Sequence, residues 1–455
     1  MTANPPQEKV KAGLIGCGSF GSGIAIQAFQ MDAIEMAVMA DEDINAALKA
    51  CELAGLSAGQ FIKTDDLNEA MGAMRKGRLV VTSDPKILPV LPIDVVVEAT
   101  GVAEAGAVNV LAAIANGKHV AMVNKETDSA VGPSLYERAK QKGLTYAPVD
   151  GDQHGLLIRM TRWARRLGLQ LVMGGKARDL ELVVSEEGEI QCHRETLHLS
   201  ESKQALFRPC LNDRLVDILP QRIECLGSLA EVGNWDLVEL AVAANALDLK
   251  PHNPVLCPPL FVTELPYFSR IKERAGGLDF TGAIDAFTCL RRPDEAGMGG
   301  GVFILVDSEN ARAKHLLQHG GPLDLTGDLP VLLTRPYHLY GVEAVQTILS
   351  VAMGGEDILD DYQQRYDVLT RATRYLPAGT IIGNDSDPAF QHFIALTTDF
   401  SEHAPIPFHL ASGLTLNSDV SVGTVLTREV IVEPENSALW ELRSFHRRDL
   451  EFGSP

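Results

Sequence analysis

The chain has 455 residues, too many for one ordinary hydrophobic core, which predicts two or three domains. Apolar residues make up 45% and charged residues 22%, the balance of a soluble globular protein, and no apolar run reaches the about 20 residues that span a bilayer, so no membrane partner is expected. A formal charge of -20 opposes binding to a phosphate backbone, which removes nucleic acid from the expected partners.

The first 11 residues are polar and contain two prolines, without a cationic start, an apolar stretch and a small-residue cleavage site. Seven cysteines, at 17, 51, 192, 210, 225, 257 and 289, include no Cys-x-x-Cys pair. That usage fits reduced thiols better than a disulfide framework or a zinc site, and a cytoplasmic location is expected.

From residue 11 to 150 strand and helix patterns alternate. A short apolar run at 12–15 leads into Gly16-Cys17-Gly18-Ser19-Phe20-Gly21, helical spacing follows at 23–31, and a strand at 35–40 ends on Asp41. Further strands are predicted at 79–82, 93–98, 119–124 and 144–148, with helices at 103–116 and 133–141. Such alternation implies a parallel sheet covered on both faces, an α/β doubly wound Rossmann domain over 1–150.

A glycine triplet is a weak signal alone, but this one leaves a strand, opens a helix and is followed about 20 residues later by an acid at a strand end. Gly16 suits the tight turn, Gly18 lets the backbone approach a pyrophosphate, and Gly21 allows helix to pack on strand; Ser19 and Phe20 complete the loop. Asp41 is suited to accept hydrogen bonds from a ribose 2′-hydroxyl and to repel a 2′-phosphate, which favours NAD, whereas Arg75, Lys76 and Arg78 are cations that a 2′-phosphate would seek. Thr100 and Gly101 close the strand ending at Glu98, beside the nicotinamide half of a bound cofactor, and Asn124 ends the next strand.

Lys125 follows at the carboxyl edge of the sheet, where open α/β sheets bind ligands, although a lone lysine at such a place is commonly a solvated surface group. Asp150 and Asp152 end the strand after it, two residues apart, as hard oxygen ligands for Mg2+ or Mn2+. Asp152 equally suits the cap of a helix beginning near His154, and His154 itself suits a proton shuttle or a donor to the carboxylates.

Residues 151–353 are predicted as an α+β domain: a helix at 156–167, a strand at 169–173, a polar segment over 179–232, and strands at 283–290 and 301–305. After 169–173, Gly174 and Gly175 with Lys176 and Arg178 read as a glycine turn able to present amides and charge to a phosphate; Lys203 and Arg208 are further cations for it. Glu239 opens an apolar helix and is the available third carboxylate for a metal, or else a surface acid, with Asp236 on the same face sharing the metal or starting the helix. The glycine-rich stretch 293–301 reads as a mobile turn or lid. Residues 354–455 turn to short strands between turns and predict a small β-rich module.

Asn124-Lys125-Glu126-Thr127 and Pro148-Val149-Asp150-Gly151-Asp152-Gln153-His154 resemble the Asn-Lys-Glu-Ser and Pro-Val-Asp-Ser-Glu-His motifs of 1-deoxy-D-xylulose 5-phosphate reductoisomerases. Arg335-Pro336-Tyr337-His338-Leu339 and Leu376-Pro377-Ala378-Gly379 resemble homoserine-dehydrogenase-like oxidoreductases with a C-terminal SAF domain, and the two resemblances meet in the reductoisomerase-like (DRL) enzymes. The resemblance implies an NADPH-dependent conversion of 1-deoxy-D-xylulose 5-phosphate to 2-C-methyl-D-erythritol 4-phosphate, with NADH not excluded. It further implies a divalent metal on Asp150, Asp152 and Glu239, Lys125 offsetting oxyanion charge, a phosphorylated sugar substrate, and a homo-oligomer, dimer or tetramer. Trp235 and Asp236 depart from the reductoisomerase pattern, and neither family's phosphate turn follows the strand at 169–173. The alternatives are a homoserine-dehydrogenase-like oxidoreductase acting on a small hydroxy-aldehyde or hydroxy-acid, and a non-catalytic dinucleotide sensor.

Overall fold

The computed structural model describes residues 8–444 apart from 194, 231–232, 254–257, 322, 324–326 and 355–358. The chain forms two compact units, one from 1–155, 339–391 and 397–455, the other from 156–338 and 392–396.

The first unit is built on β1 (Val10–Ile15), β2 (Ile34–Ala40), β3 (Phe61–Lys63), β4 (Leu79–Thr82), β5 (Val95–Glu98), β6 (His119–Met122) and β7 (Tyr146–Pro148). Their order is β3-β4-β2-β1-β5-β6-β7, and every pair is parallel. Helices α1 (Ser19–Ala28), α2 (Ile44–Leu53), α3 (Leu67–Met74), α4 (Ala103–Ala115) and α5 (Lys125–Gln141) connect them. Leu14, Ile15, Val95, Val96 and Val97 are all buried, because helices cover both faces; that is why these strands read as continuous apolar runs. Chain order reverses on either side of β1, which opens a crevice at the carboxyl ends of β1 and β5.

Helix α5 begins at Lys125, eight residues before the start expected from Pro133. Asn124 caps it, its side-chain oxygen accepting from Thr127 N at 3.1 Å, and Pro133 lies inside the helix. A proline there strips a hydrogen bond from the carbonyl four residues earlier. That carbonyl, on Ser129, accepts instead from Gln364 Nε2 at 2.9 Å, so the helix continues through the proline.

The later part of this unit adds the helix Ala344–Ala352, packed on β1, β5, β6 and β7, and a β-rich stretch held by antiparallel bridges such as Leu376↔Val420, Ile381↔Thr415 and Leu416↔Ile431. Buried polar contacts tie it to α5: Tyr362 Oη donates to Asp128 at 2.9 Å, and Tyr136 Oη donates to Leu359 O at 3.0 Å.

The second unit is a mixed sheet. Its central strand Ala283–Arg291 pairs in parallel with Gln170–Ala177, which pairs antiparallel with Val302–Asp307, itself antiparallel to Val331–Arg335. Gly174, Gly175 and Lys176 therefore lie within a strand, and the expected phosphate turn is corrected. A Cβ on Gly175 would lie 2.1 Å from Asp285 O and 2.9 Å from the Phe303 ring, so this glycine serves strand packing. The expected lid at 293–301 is also tied down: the Glu181 carboxylate accepts from the backbone N–H groups of Met298 and Gly299 and from Arg291 Nε.

Candidate active site

The glycine loop has the shape its sequence requires. Gly16 adopts φ +93°, and a Cβ there would lie 2.5 Å from the Ala99 carbonyl at the end of β5. A Cβ on Gly21 would lie 2.0 Å from Gly16 O, so α1 sits against the end of β1 only because position 21 carries no side chain. Nothing lies within 4 Å of a Cβ position at Gly18, which is exposed together with Ser19. Gly18 is the N-cap of α1 and makes no side-chain cap, so the first-turn N–H groups and the positive end of the helix face open space. Phe20 is held by Tyr340, ring centroids 4.5 Å apart and edge to face.

Asp41 ends β2 with its carboxylate braced by backbone: Oδ2 accepts from Cys17 N at 2.6 Å and Oδ1 from Asp43 N at 2.9 Å. Each carboxylate oxygen retains a second lone pair for a ribose hydroxyl. Arg78 is committed elsewhere, donating to Phe61 O at 2.6 Å, while Arg75 and Lys76 are exposed. This donor and acceptor set fits a nicotinamide dinucleotide: open amides for the pyrophosphate and an acid for the adenosine ribose.

The turn after β5 is organised by an acid that sequence reasoning did not single out. Glu98 is fully buried, and its Oε1 accepts from Thr100 Oγ1 at 2.7 Å and Asn109 Nδ2 at 3.2 Å. Burial outweighs these donors and pushes its carboxyl up to about 7. An acid ending a run of three valines was the available signal. Asn124 Nδ2 donates to Thr100 Oγ1 and to Val102 O, both at 3.0 Å, so the side chains of Thr100 and Asn124, expected at the cofactor, knit the turn to the start of α5. Gly101 adopts φ +67° and is exposed there.

Lys125, the first residue of α5, places Nζ 3.6 Å from Asp152 Oδ2, and His154 Nδ1 lies 3.8 Å from the same oxygen. Asp152 Oδ1 also accepts from Gln153 N at 2.8 Å, where α6 (Gln153–Arg166) begins, so Asp152 meets a helix-start amide and the lysine together. Asp150 turns to other partners: its N–H donates to Thr347 Oγ1 at 2.9 Å, and that hydroxyl lies 3.3 Å from Asp150 Oδ2. Gly151 bends between them at φ +84°, and a Cβ on Gly155 would lie 2.0 Å from Val149 O, so the turn after β7 closes only on a glycine there. The unit thus gathers Lys125, Asp152 and His154 at the carboxyl edge of its sheet.

Asp150 and Asp152 belong to the first unit, and the expected third metal ligand belongs to the second. Glu239, on the helix Asn234–Leu247 of the second unit, is buried and bonded to Lys176 Nζ, which also lies 2.7 Å from Asp236 Oδ1. Asp236 starts that helix, accepting from Gly233 N at 3.1 Å. One ammonium, itself only 2% exposed, is shared by these two carboxylates, with Arg178 Nε 3.7 Å from Asp236 Oδ2, and Lys176 is correspondingly removed from the expected phosphate set. Among the described residues no group of three or more His, Cys, Asp or Glu side chains is placed to hold a metal ion. Arg178 is buried as well, donating to Leu229 O at 2.9 Å and Thr288 Oγ1 at 3.3 Å. Lys203 is exposed, and Arg208, also exposed, lines a cavity of about 610 Å3 with Arg292 and Gln204. No helix of the described residues is long and apolar enough to cross a membrane.

Residues 16–147 match the family model for the homoserine dehydrogenase NAD-binding domain, and residues 151–344 match that for the catalytic domain of oxidoreductase DRL. A homoserine dehydrogenase of Synechocystis sp. is 29% identical over 136 residues, 30% of this chain and 28% of that enzyme, so this chain spans under a third of the curated relative's length. An NAD-binding oxidoreductase structure from Klebsiella pneumoniae is 18% identical, with 37% of this chain and 43% of that chain covered at a TM-score of 0.26. A probable dehydrogenase from Thermotoga maritima is 12% identical, with 77% and 91% covered at a TM-score of 0.39. The chain is therefore similar to a homoserine dehydrogenase NAD-binding domain in its first third and to a DRL oxidoreductase catalytic domain in the stretch that follows.

Proposed function

We propose that the protein is a nicotinamide-dependent oxidoreductase that interconverts a small hydroxy-aldehyde or hydroxy-acid with its oxidised or reduced partner. The observation that carries this reading is the placement, in one unit, of an open glycine loop with Asp41 at its adenosine side and of Lys125, 3.6 Å from Asp152, at the other end of the same sheet edge. When bound, the nicotinamide supplies hydride transfer. Asp152 holds the Lys125 ammonium toward the edge where a carbonyl oxygen would sit, and the ammonium offsets the charge that grows on that oxygen as the carbonyl is reduced. His154, against Asp152 Oδ2, keeps that carboxylate aimed at the lysine.

A second reading is reduction coupled to rearrangement of 1-deoxy-D-xylulose 5-phosphate, with NADPH as reductant. The match of 151–344 to the DRL catalytic domain and the motifs around Lys125 and Asp150 support it, while the pairing of Glu239 and Asp236 with Lys176 speaks against Glu239 as a metal ligand. One assay separates the readings: absorbance of NADH or NADPH with aspartate semialdehyde or 1-deoxy-D-xylulose 5-phosphate, each with and without Mn2+. Metal-independent turnover of the semialdehyde supports the first; turnover of the phosphorylated sugar that requires Mn2+ replaces it with the second. Tight dinucleotide binding without turnover of any hydroxy-aldehyde or hydroxy-acid would leave the sensor.

A further inference from the structure

The first unit holds a cavity of about 430 Å3 outside the Lys125–Asp152–His154 group. One wall is the turn after β5 and the first turn of α4, residues 101–104; the other is the C-terminal β-rich stretch. Glu104 fastens the two together, its carboxylate accepting from Ser437 Oγ and Ala438 N, both at 2.6 Å. Leu410, Leu414 and Trp440 make the wall apolar, and Trp440 is fixed by donating Nε1–H to Leu410 O at 3.0 Å. At the polar end stands His409, its side chain 5% exposed. Its Nδ1 is 3.3 Å from Ser129 Oγ and its Nε2 is 3.4 Å from the Asp385 carboxylate, and Glu126 lines the same end. Burial raises the Glu126 carboxyl while His409 and Lys125 lower it and Asp385 raises it further.

Among the described residues no lysine or arginine lines this cavity. Its polar end therefore offers carboxylate acceptors and one imidazole, which suits a ligand that donates hydrogen bonds and disfavours a phosphate or a dicarboxylate. The apolar wall suits a carbon chain, and the volume is that of a small-molecule site.

We propose that this cavity is a binding site for a small polyol or amino alcohol, with the Asp385 carboxylate, positioned by His409, receiving its hydroxyl or ammonium group and Trp440 covering its carbon chain. The site is independent of the oxidoreductase reading, since it needs neither dinucleotide nor turnover.

The test titrates the full-length protein with xylitol, ethanolamine and succinate while following tryptophan fluorescence. Xylitol or ethanolamine is expected to give a saturable change that disappears in Trp440→Phe and requires about tenfold more ligand in His409→Ala, the effect of losing one buried polar partner. Succinate is expected to give none. Asp385→Asn serves in place of His409→Ala if the latter fails to fold by circular dichroism, with the same weakening expected. No saturable change with either donor ligand up to about 50 mM, a change that persists in Trp440→Phe, equal binding by the polar-end variant, or equal binding of succinate overturns the proposal. Hydride-transfer activity stands or falls separately in the absorbance assay.

Discussion

The carboxylate of Asp41 accepts a hydrogen bond from the backbone N–H of Cys17 at 2.6 Å, across 24 residues of sequence. The acid at the end of β2 therefore shapes the glycine loop at the end of β1, besides the ribose contact proposed for it. Asp41→Ala is expected to weaken NADH binding about tenfold or more, because loop brace and ribose acceptor go together, and to narrow any preference over NADPH. Dissociation constants for both cofactors by fluorescence titration check it; unchanged NADH affinity would show that the brace is dispensable.

Gly21→Ala tests the same loop by volume. With its Cβ 2.0 Å from Gly16 O, the variant must push α1 away from β1. Overpacking of this kind costs about 1–3 kcal/mol, and dinucleotide binding should fall further than stability. Urea unfolding alongside cofactor titration separates the two effects.

Lys125→Met is expected to leave dinucleotide affinity within about threefold while lowering turnover about a hundredfold or more, the usual size of a lost charge-stabilising group. Its neighbour Asp152 loses its ammonium partner at 3.6 Å, so Asp152→Asn should lower turnover in the same direction by less. Steady-state kinetics with separate measurement of cofactor binding decides this; retained turnover in Lys125→Met removes the lysine from the chemistry.

Lys176→Met leaves Asp236 and Glu239 buried without their shared cation. Removing one partner of a buried ion pair costs about 3–5 kcal/mol, and the second unit should unfold at markedly lower urea. Glu239→Gln keeps a hydrogen-bond acceptor and one carboxylate for the lysine and should cost clearly less. If Glu239→Gln abolished a Mn2+-dependent activity without loss of stability, the structural assignment of this pair would be wrong.

The pH dependence of stability follows from two buried acids in the first unit. Burial raises both Glu98 and Asp128 to about 7, above the ordinary carboxylate range, against the lowering effect of their hydrogen-bond donors. Both hold a proton more tightly when folded, so from about pH 4 to about pH 7 the folded chain binds more protons than the unfolded one and stability falls as pH rises. Asp128→Asn, whose amide oxygen can still accept from Tyr146 and Tyr362, should flatten that fall. Urea midpoints at about pH 5 and about pH 8 check the sign; a wild-type midpoint that rises between them contradicts it.

Much of the first unit was legible residue by residue. Gly16, Gly18 and Gly21 stand where strand, turn and helix demand them, and the alternation of apolar runs matches a parallel sheet covered on both faces. Pro133 misled the reading of α5, since a proline normally starts or breaks a helix, and only Gln364, 235 residues away from Ser129, supplies the donor that lets this one continue. Gly174, Gly175 and Lys176 were misread for a related reason: a glycine pair beside a cation has the composition of a phosphate turn, but the nearness of Asp285 O and the Phe303 ring makes it a strand without side-chain room.

The sequence alone determined the dinucleotide loop and the sheet around it, because hydrophobic period, glycine spacing and the acid at a strand end are local quantities carried within a few dozen residues. Tertiary structure decided what each charged side chain does. It gave Lys176 to Asp236 and Glu239, Asn124 to the turn at Thr100, Asp152 to Lys125, and His409 to Ser129 and Asp385. A charge has no fixed partner until folding chooses one, since its energy depends on burial and on groups as far as hundreds of residues away.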